Sequence, residues 1–238
     1  MFRIVPALLI LTLSVLQAPA AEVEHKFRLS IAGLSVANIL LVIDTDGDRY
    51  EASARVRGRG LVGSFVDLDY DGYSEGRLGS DGMPQPQFFR SVRNDDDDGG
   101  RTTVIRYDGG TPVSVTASPP RPSRRWDIAP ETQRGALDPI SAGLAMIGDR
   151  AVGEACGRTV DIYDGRRLAR LSLGPRRSRG DFQVCSGNYR RIAGYPPKRM
   201  AEQVDFPFEI TYQRIDGMLR VVRLDMESTF GSARMQRR

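Results

Sequence analysis

Cysteine, histidine, lysine and tryptophan are all scarce in this chain of 238 residues. It has two cysteines, one histidine and one tryptophan. Of its 34 basic residues only Lys26 and Lys198 are lysines, which leaves 32 arginines. We interpret this excess of arginine over lysine as a result of genomic base composition and not of recognition chemistry. The cysteines lack C-x-x-C spacing, which excludes a thioredoxin-like redox motif. A zinc site usually needs four ligands, and the single histidine, His25, lies far from both cysteines in sequence.

Catalytic motifs are also missing. The sequence contains no G-x-S-x-G, no H-E-x-x-H and no phosphate-binding loop, and the glycine-rich residues 58–65 lie between predicted strands. A nucleophile would have to use His25 as its base, and we predict that His25 is solvated on the polar face of a fraying first strand. We therefore predict a non-enzymatic protein without cofactor or metal; a hydrolase with paired carboxylates is a third reading.

Only the N-terminus contains a long hydrophobic run. Arg3 precedes the apolar residues 4–16, and Ala18 and Ala20 occupy the small-residue positions before a cleavage site. This order predicts a secretory signal peptide cut after Ala20 or Ala21, and hence a periplasmic protein. A membrane anchor is the competing reading, but the run is shorter than the about 20 residues that span a bilayer, and the mature protein is predicted to have no transmembrane segment.

The predicted export determines the oxidation state that is expected of the two cysteines. Thiols in an oxidising compartment tend to pair, so we predict a disulfide between Cys156 and Cys185. Reactive thiols or a metal site are the alternatives. In the loop-entropy model, a bridge closing a loop of this size stabilises the fold by about 3–4 kcal/mol.

Alternating hydrophobicity predicts strands along most of the chain. In a strand over residues 49–57, the apolar side chains would lie on one face and the polar ones on the other; the apolar set is Tyr50, Ala52, Ala54 and Val56. The same pattern recurs with Phe27, Leu29 and Ile31. The same alternation holds for residues 65–73 and 206–212. The stripe Phe206, Phe208, Ile210 and Tyr212 is predicted to be core, with a ligand-lining role as the alternative.

Turn signals separate these strands. Asp164-Gly165 and Asp216-Gly217 predict hairpins, and residues 44–49 predict another turn. The acidic run 94–100 is predicted to be a hairpin tip, because its adjacent aspartates lack the alternating spacing of a calcium loop.

A single helix is predicted, beginning with Asp138 as N-cap and Pro139 at its first position and ending at Gly148. The proline-rich residues before it form a connector, in which Trp126 could act as an anchor. The expected fold is mainly β: a curved antiparallel sheet, open barrel or β-spiral with this short helix packed on it, although two separate domains are an alternative. The predicted organisation is a signal peptide (1–20) and a single exported domain (21–238) with N-terminal strands 22–117, connector 118–136, helix 139–147 and C-terminal strands 156–232.

Charge is unevenly distributed. Residues 44–98 have 13 acidic residues against 7 arginines, and residues 158–199 have 11 basic residues against 3 aspartates. A basic segment can bind nucleic acid, which an exported protein rarely meets, so contact with anionic envelope components or a solvated face is expected instead. We predict that Arg176, Arg177 and Arg179 stand in solvent on a turn, where they could dock anionic headgroups or an acidic partner; a solvated turn with no partner is the alternative.

The order of features resembles an exported bacterial family, domain-of-unknown-function family 3108. The matching pieces are Gly60-Leu61, Gly76 and Leu78 with the following D-G-M-P-Q-P-Q-F-F turn, the Asp138-Pro139 helix start, and a terminal hairpin. The resemblance implies an envelope protein built on a curved antiparallel sheet and supplies no catalytic residues. The cysteine pair is not expected of that family as a whole and is similar to that of periplasmic envelope-integrity β-spiral proteins.

Two functions follow as expectations. The first is a periplasmic protein that supports the cell envelope by binding a partner protein or cell-wall component. The second is a carrier that holds a lipid or acyl chain in the concavity of the sheet.

Overall fold

The computed structural model describes residues 21–59, 69–93, 100–228 and 231–238. The predicted signal peptide, most of the glycine-rich residues 58–65, the first part of the predicted strand 65–73 and nearly all of the acidic run 94–100 lie outside these ranges. The described chain is mainly β, as predicted. Its strands are β1 (Ala21–Ile31), β2 (Leu34–Asp46), β3 (Arg49–Gly58), β4 (Tyr70–Leu78), β5 (Pro84–Arg93), β6 (Arg101–Asp108), β7 (Thr111–Ser118), β8 (Thr159–Tyr163), β9 (Leu168–Arg179), β10 (Phe182–Ala193), β11 (Asp205–Ile215), β12 (Met218–Ser228) and β13 (Gly231–Arg237).

All thirteen strands form one antiparallel sheet in the order β7-β6-β5-β4-β3-β2-β1-β13-β12-β11-β10-β9-β8. Neighbours in this order are consecutive in sequence except where β1 pairs with β13. That pair, with Phe27 opposite Arg237 and Leu29 opposite Met235, joins the N-terminal half of the sheet to the C-terminal half. β1 therefore lies in the middle of the sheet and does not fray at its edge.

Two helices accompany the sheet, α1 (Pro139–Ile147) and α2 (Pro197–Glu202). Helix α1 begins and ends where the sequence predicts: the Asp138 carboxylate accepts hydrogen bonds from the backbone N–H groups of Ile140 and Ser141, and Gly148 is the C-cap. Helix α2, which begins with Pro197 at its first position, was not predicted. A single 3₁₀ turn (Pro130–Thr132) lies in the connector.

Helix α1 is the centre around which the sheet curves. It contacts β3, β4 and β5 of one half and β8 of the other. Ile140 and Leu144 belong to the core of the N-terminal half, with Tyr50 and Phe89. The next residues of the helix, among them Met146, belong to the core of the C-terminal half. Both halves bury their apolar faces against one helix, which explains why a long sheet can curve without closing.

Three of the four residues of the predicted stripe on β11 are core, while the fourth, Phe206, is only half-buried. Phe208, Ile210 and Tyr212 are buried, and the Tyr212 hydroxyl donates a hydrogen bond to the Met146 carbonyl oxygen at 3.1 Å. The alternation on β3 is confirmed as well, with Tyr50 and Ala52 buried. The hairpin turn at Asp216-Gly217 has positive φ at both residues, 50° and 79°, as a two-residue turn of this type requires.

The connector brings the two edges of the sheet together. The Gly135 N–H donates to the Gly110 carbonyl in the β6–β7 turn, and the Leu137 N–H donates to the Asp161 carbonyl on β8, both at 2.8 Å. At the same seam the β8–β9 turn meets β6 and β7, since a methyl group on Gly165 would lie 3.1 Å from Thr103 Cγ2 and from Val115 Cγ1. The edge strands β7 and β8 are thus not paired with each other in the described sheet, although the two edges pack together at the seam.

The disulfide is present between Cys156 and Cys185, with Cα atoms 5.7 Å apart. Cys185 on β10 is fully buried and Cys156 packs against the same core. The bridge fastens the segment after α1 to the middle of the C-terminal half.

Two predictions were wrong. His25 is not solvated: its side chain is fully buried, because period-two alternation places residue 25 on the same face as Phe27 and β1 is central in the sheet. Arg176, Arg177 and Arg179 do not form a turn: β9 continues through Arg179, and the turn is only Gly180-Asp181. A strand can extend through Pro175 when it forms an irregular part of the ladder, and the β9–β10 register shifts near Cys185.

Candidate functional site

A cleft of about 430 Å³ lies at the seam where the two edges of the sheet meet. We call it the arginine cleft, because five arginines line it. They come from four segments of the chain: Arg93 ends β5, Arg101 begins β6, Arg121 lies in the connector, and Arg166 and Arg167 form the β8–β9 turn.

The floor of the cleft is apolar. It consists of residues on the concave side of the sheet and at the start of α1, namely Ala54, Tyr70, Phe89, Pro139 and Ile140. Phe89 and Ile140 are almost completely buried, so the floor belongs to the core of the N-terminal half. The cleft therefore combines a cationic rim with a hydrophobic base.

Among the described residues, few acidic groups pair with these arginines. Arg166 forms an ion pair with Asp127 at 2.9 Å. Within the described ranges, no carboxylate forms an ion pair with any of the other four. The one acid in the lining, Asp164, uses its Oδ1 to accept hydrogen bonds from the backbone N–H groups of Arg166 and Arg167. Its carboxylate therefore stabilises the turn and only partly offsets the arginines.

Like charges face each other across β5 and β6. Arg93 is the register partner of Arg101, an arrangement that destabilises an antiparallel pair unless something screens it. Burial lowers the pKa of the Arg121 guanidinium, and although Asp164 opposes this, Arg101 and the two arginines of the turn lower it further. Among the described residues, the charges around the cleft are mainly positive, and the arginine side chains therefore repel one another.

Several N–H donors at the cleft are buried without an acceptor. Arg121 Nη2 donates to the Thr103 hydroxyl at 2.9 Å, and Arg167 stacks over the Tyr195 ring at 5.5 Å. Arg101 Nε and Arg166 Nη2, however, are buried and have no hydrogen-bond partner among the described residues. Buried charged donors are normally satisfied, so these two unsatisfied donors make the cleft a candidate anion site.

Two buried polar networks lie elsewhere. Asp138 is completely buried and accepts hydrogen bonds from the hydroxyls of Ser74 and Ser141, while Tyr50 bonds Ser141 at 2.8 Å. Burial raises the pKa of the Asp138 carboxyl. Because this network is enclosed, it positions the start of α1 against β3 and β4.

The second network joins β1 to β12 and β13. His25 Nδ1 accepts a hydrogen bond from Arg237 Nη2 at 2.6 Å, and Asp149 pairs with Arg220 at 2.9 Å. His25 Nδ1 is 3.8 Å from Asp149 Oδ1. Burial lowers the pKa of His25; Asp149 opposes this and Arg237 and Arg220 reinforce it. Burial thus favours the neutral form of the imidazole.

The predicted docking arginines are separate from the cleft. Arg176, Arg177 and Arg179 are exposed on β9, where Arg177 and Arg179 lie 3.4 Å and 3.8 Å from Glu209. Sequence reasoning missed the arginine cleft because its residues come from distant segments. One signal was available: Arg93 and Arg101 fall on the alternation face of Phe89 and Ile105, where apolar residues are expected.

Within the described ranges, no group of three or more histidine, cysteine, aspartate or glutamate residues could hold a metal ion. No helix among the described residues is long and apolar enough to cross a membrane.

Fold and site together define a β-rich protein whose open antiparallel sheet wraps a short helix and carries a basic cleft at its seam. Residues 26–238 match the family described as "Protein of unknown function (DUF3108)", and the chain belongs to that family. The resemblance noted from the sequence is thus confirmed. No match to the curated proteins was found.

Among solved structures, the chain is similar to a beta-barrel-like protein of the domain of unknown function DUF1849 from Brucella abortus. The alignment has a TM-score of 0.48 and 15% identity, and covers 92% of this chain and 95% of the other.

Proposed function

We propose that this protein is an exported, non-enzymatic periplasmic protein that supports the cell envelope by holding an anionic envelope component in the arginine cleft. The observation that carries the proposal is the pair of buried guanidinium donors, Arg101 Nε and Arg166 Nη2, that lack acceptors among the described residues. Arginine presents planar, bidentate donors that suit carboxylate and phosphate groups.

The apolar floor favours a ligand with a hydrocarbon part, which was the basis of the carrier hypothesis. Small-ligand pockets usually measure about 300–1,000 Å³. At about 430 Å³ the cleft lies in the lower part of that range, so it takes an anionic headgroup with a short apolar segment more readily than complete acyl chains. Among the described residues, the concave face under α1 is filled by the core, so we place the ligand of the carrier hypothesis in this cleft.

Anion binding can be tested without knowing the natural ligand. Sodium phosphate and octyl phosphate are titrated at constant ionic strength, and thermal unfolding is followed. Binding to the folded state raises the melting temperature. In the variant Arg101→Gln/Arg121→Gln we expect the dissociation constants to rise by at least about tenfold, the usual result of truncating a buried charged pair.

A matched control uses Arg90→Gln/Arg106→Gln, which removes two arginines from the opposite face of β5 and β6. Arg90 and Arg106 are exposed. Without added anion the cleft variant should be at least as stable as the wild type, because like-charge repulsion is reduced. Equal stabilisation of the cleft variant and the control by both anions would refute the proposal.

A further inference from the structure

A short turn of the connector, residues Arg124–Asp127, lies beside the arginine cleft. Asp127 Oδ1 accepts a hydrogen bond from Arg166 Nε, and Arg166 lines the cleft. Three residues before the turn, Arg121 lines the same cleft. The turn and the mouth of the cleft therefore belong to one continuous surface.

The turn is held in one conformation. The Arg124 N–H donates to Asp127 Oδ2 at 2.8 Å, and the Asp127 N–H donates to the Arg124 carbonyl at 2.9 Å. Asp127 thus uses both carboxylate oxygens within the protein, one for the turn and one for Arg166. Asp127 is the only acid of the turn, and both of its carboxylate oxygens are already engaged. Its carboxylate therefore does not neutralise the guanidinium groups of Arg124 and Arg125.

Those two arginines surround the only tryptophan of the chain. The guanidinium carbons of Arg124 and Arg125 lie 5.7 Å and 5.9 Å from the centre of the Trp126 ring. Both arginines are exposed, while Trp126 is half-buried with its Nε1 inside the protein. An amphipathic ring between cations is the composition that favours the headgroup region of an anionic membrane.

We propose that the Arg124–Asp127 turn docks on the surface of an anionic lipid bilayer and brings the mouth of the arginine cleft to the headgroups. An acidic protein is the other class of partner that such a charge could attract, and it is an alternative outcome of the experiment below, in which polyglutamate stands for it. The inference goes beyond the proposed function, because a cleft can bind a free anion whether or not the protein approaches a membrane.

Trp126 makes the proposal directly measurable, since it is the only tryptophan and lies in the turn itself. The purified protein is mixed with vesicles of equal parts phosphatidylglycerol and phosphatidylcholine, and with vesicles of phosphatidylcholine alone. We expect co-sedimentation and a blue shift of the Trp126 emission with the anionic vesicles only. Each arginine near an anionic surface contributes about fivefold, so Arg124→Gln/Arg125→Gln should weaken partitioning about thirtyfold.

Controls separate the turn from net charge and from the cleft. Arg90→Gln/Arg106→Gln loses the same charge elsewhere and should keep most of the partitioning. Unchanged thermal unfolding of Arg124→Gln/Arg125→Gln without vesicles shows that the fold is intact. The inference is overturned if the two double variants partition equally, if the protein binds the anionic vesicles without a change in Trp126 emission, or if polyglutamate is bound and the vesicles are not.

The two proposals can fail separately. Stabilisation by phosphate without vesicle binding would keep the proposed function and overturn the membrane inference. Vesicle binding through Trp126 without any anion effect on the cleft would do the opposite.

Discussion

His25 and Asp138 show how a single buried polar residue can fix the arrangement of several strands. His25 accepts a hydrogen bond from Arg237, so a residue near the beginning of the chain is tied to one near its end, across the β1–β13 pair. Asp138 ties the N-terminus of α1 to Ser74 on β4. In both cases the partner lies more than 60 residues away, so neither role is visible in local sequence.

His25 makes the stability of the fold sensitive to acid. Burial lowers its pKa in the folded state, so below the ordinary value of about 6.5 the unfolded chain binds the proton more readily than the folded one. The stabilisation is present above that pH and is lost as the pH falls. Protonation would also place an N–H on Nδ1 against the Arg237 donor. We expect the free energy of unfolding from urea denaturation to fall as the pH is lowered below about 6.5.

The control is His25→Asn, which keeps an acceptor near Arg237 but does not titrate. This variant should have a flatter profile in the same window, whatever its absolute stability. An identical pH slope in the variant and the wild type would show that other groups cause the effect.

Asp138→Ala should destabilise the protein by about 2–4 kcal/mol, the sum of a lost N-cap and of buried hydroxyls left without an acceptor. Urea denaturation measures this. Asp138→Asn retains one carbonyl oxygen for the N-cap and should cost less. If the alanine variant lost no more than the asparagine variant, the carboxylate would not be what holds α1 against β4.

At the scale of elements, the disulfide and β9 lead to two further predictions. The bridge connects the segment after α1 to β10, across 29 residues of sequence. Replacing both cysteines, Cys156→Ala/Cys185→Ala, should lower the free energy of unfolding by about 3–4 kcal/mol. A reducing agent should lower the melting temperature of the wild type and leave the variant unchanged; equal sensitivity would contradict a structural role.

The arginines of β9 remain a predicted docking point, although they lie on a strand. Arg176→Ser/Arg177→Ser/Arg179→Ser should change stability by less than about 0.5 kcal/mol, since all three are exposed. We expect weaker association with isolated envelopes, most visibly at low salt, because exposed charges act through steering that salt screens. A pull-down at two salt concentrations tests this, and equal retention of variant and wild type at low salt would exclude the role.

At the scale of the whole molecule, export is the prediction that most affects function. The mature protein is expected to begin at Ala21 or Glu22 and to fractionate with the periplasm. Strand β1 begins at Ala21, so cleavage after Ala20 would leave the β1–β2 and β1–β13 pairs whole, and cleavage after Ala21 would remove only the Ala21–Thr45 pair. N-terminal sequencing of the fractionated protein checks this, and an intact Met1 in the membrane fraction would contradict it.

The secondary structure of much of the chain could be predicted from its amino-acid sequence, because those signals are local. The alternation on β3 and β11, the turns at Asp164-Gly165 and Asp216-Gly217, and both ends of α1 follow from residues within a few positions of each other. Helix α2 was missed because six residues are too few for a helical period to stand out from a Pro-Pro turn. His25 was placed on the wrong face although its alternation with Phe27 was readable.

The positions of the arginines relative to one another depend on the tertiary structure. Arg176, Arg177 and Arg179 are close in sequence, and the fold places them in solvent on β9, with Arg177 and Arg179 beside Glu209; their docking role stays a prediction. Arg101, Arg121 and Arg166 are scattered, and they meet only because β1 pairs with β13 and the curved sheet brings its two edges to one seam. A pairing between residues some 200 positions apart leaves no local signal, since strand register depends on the burial of whole faces around α1.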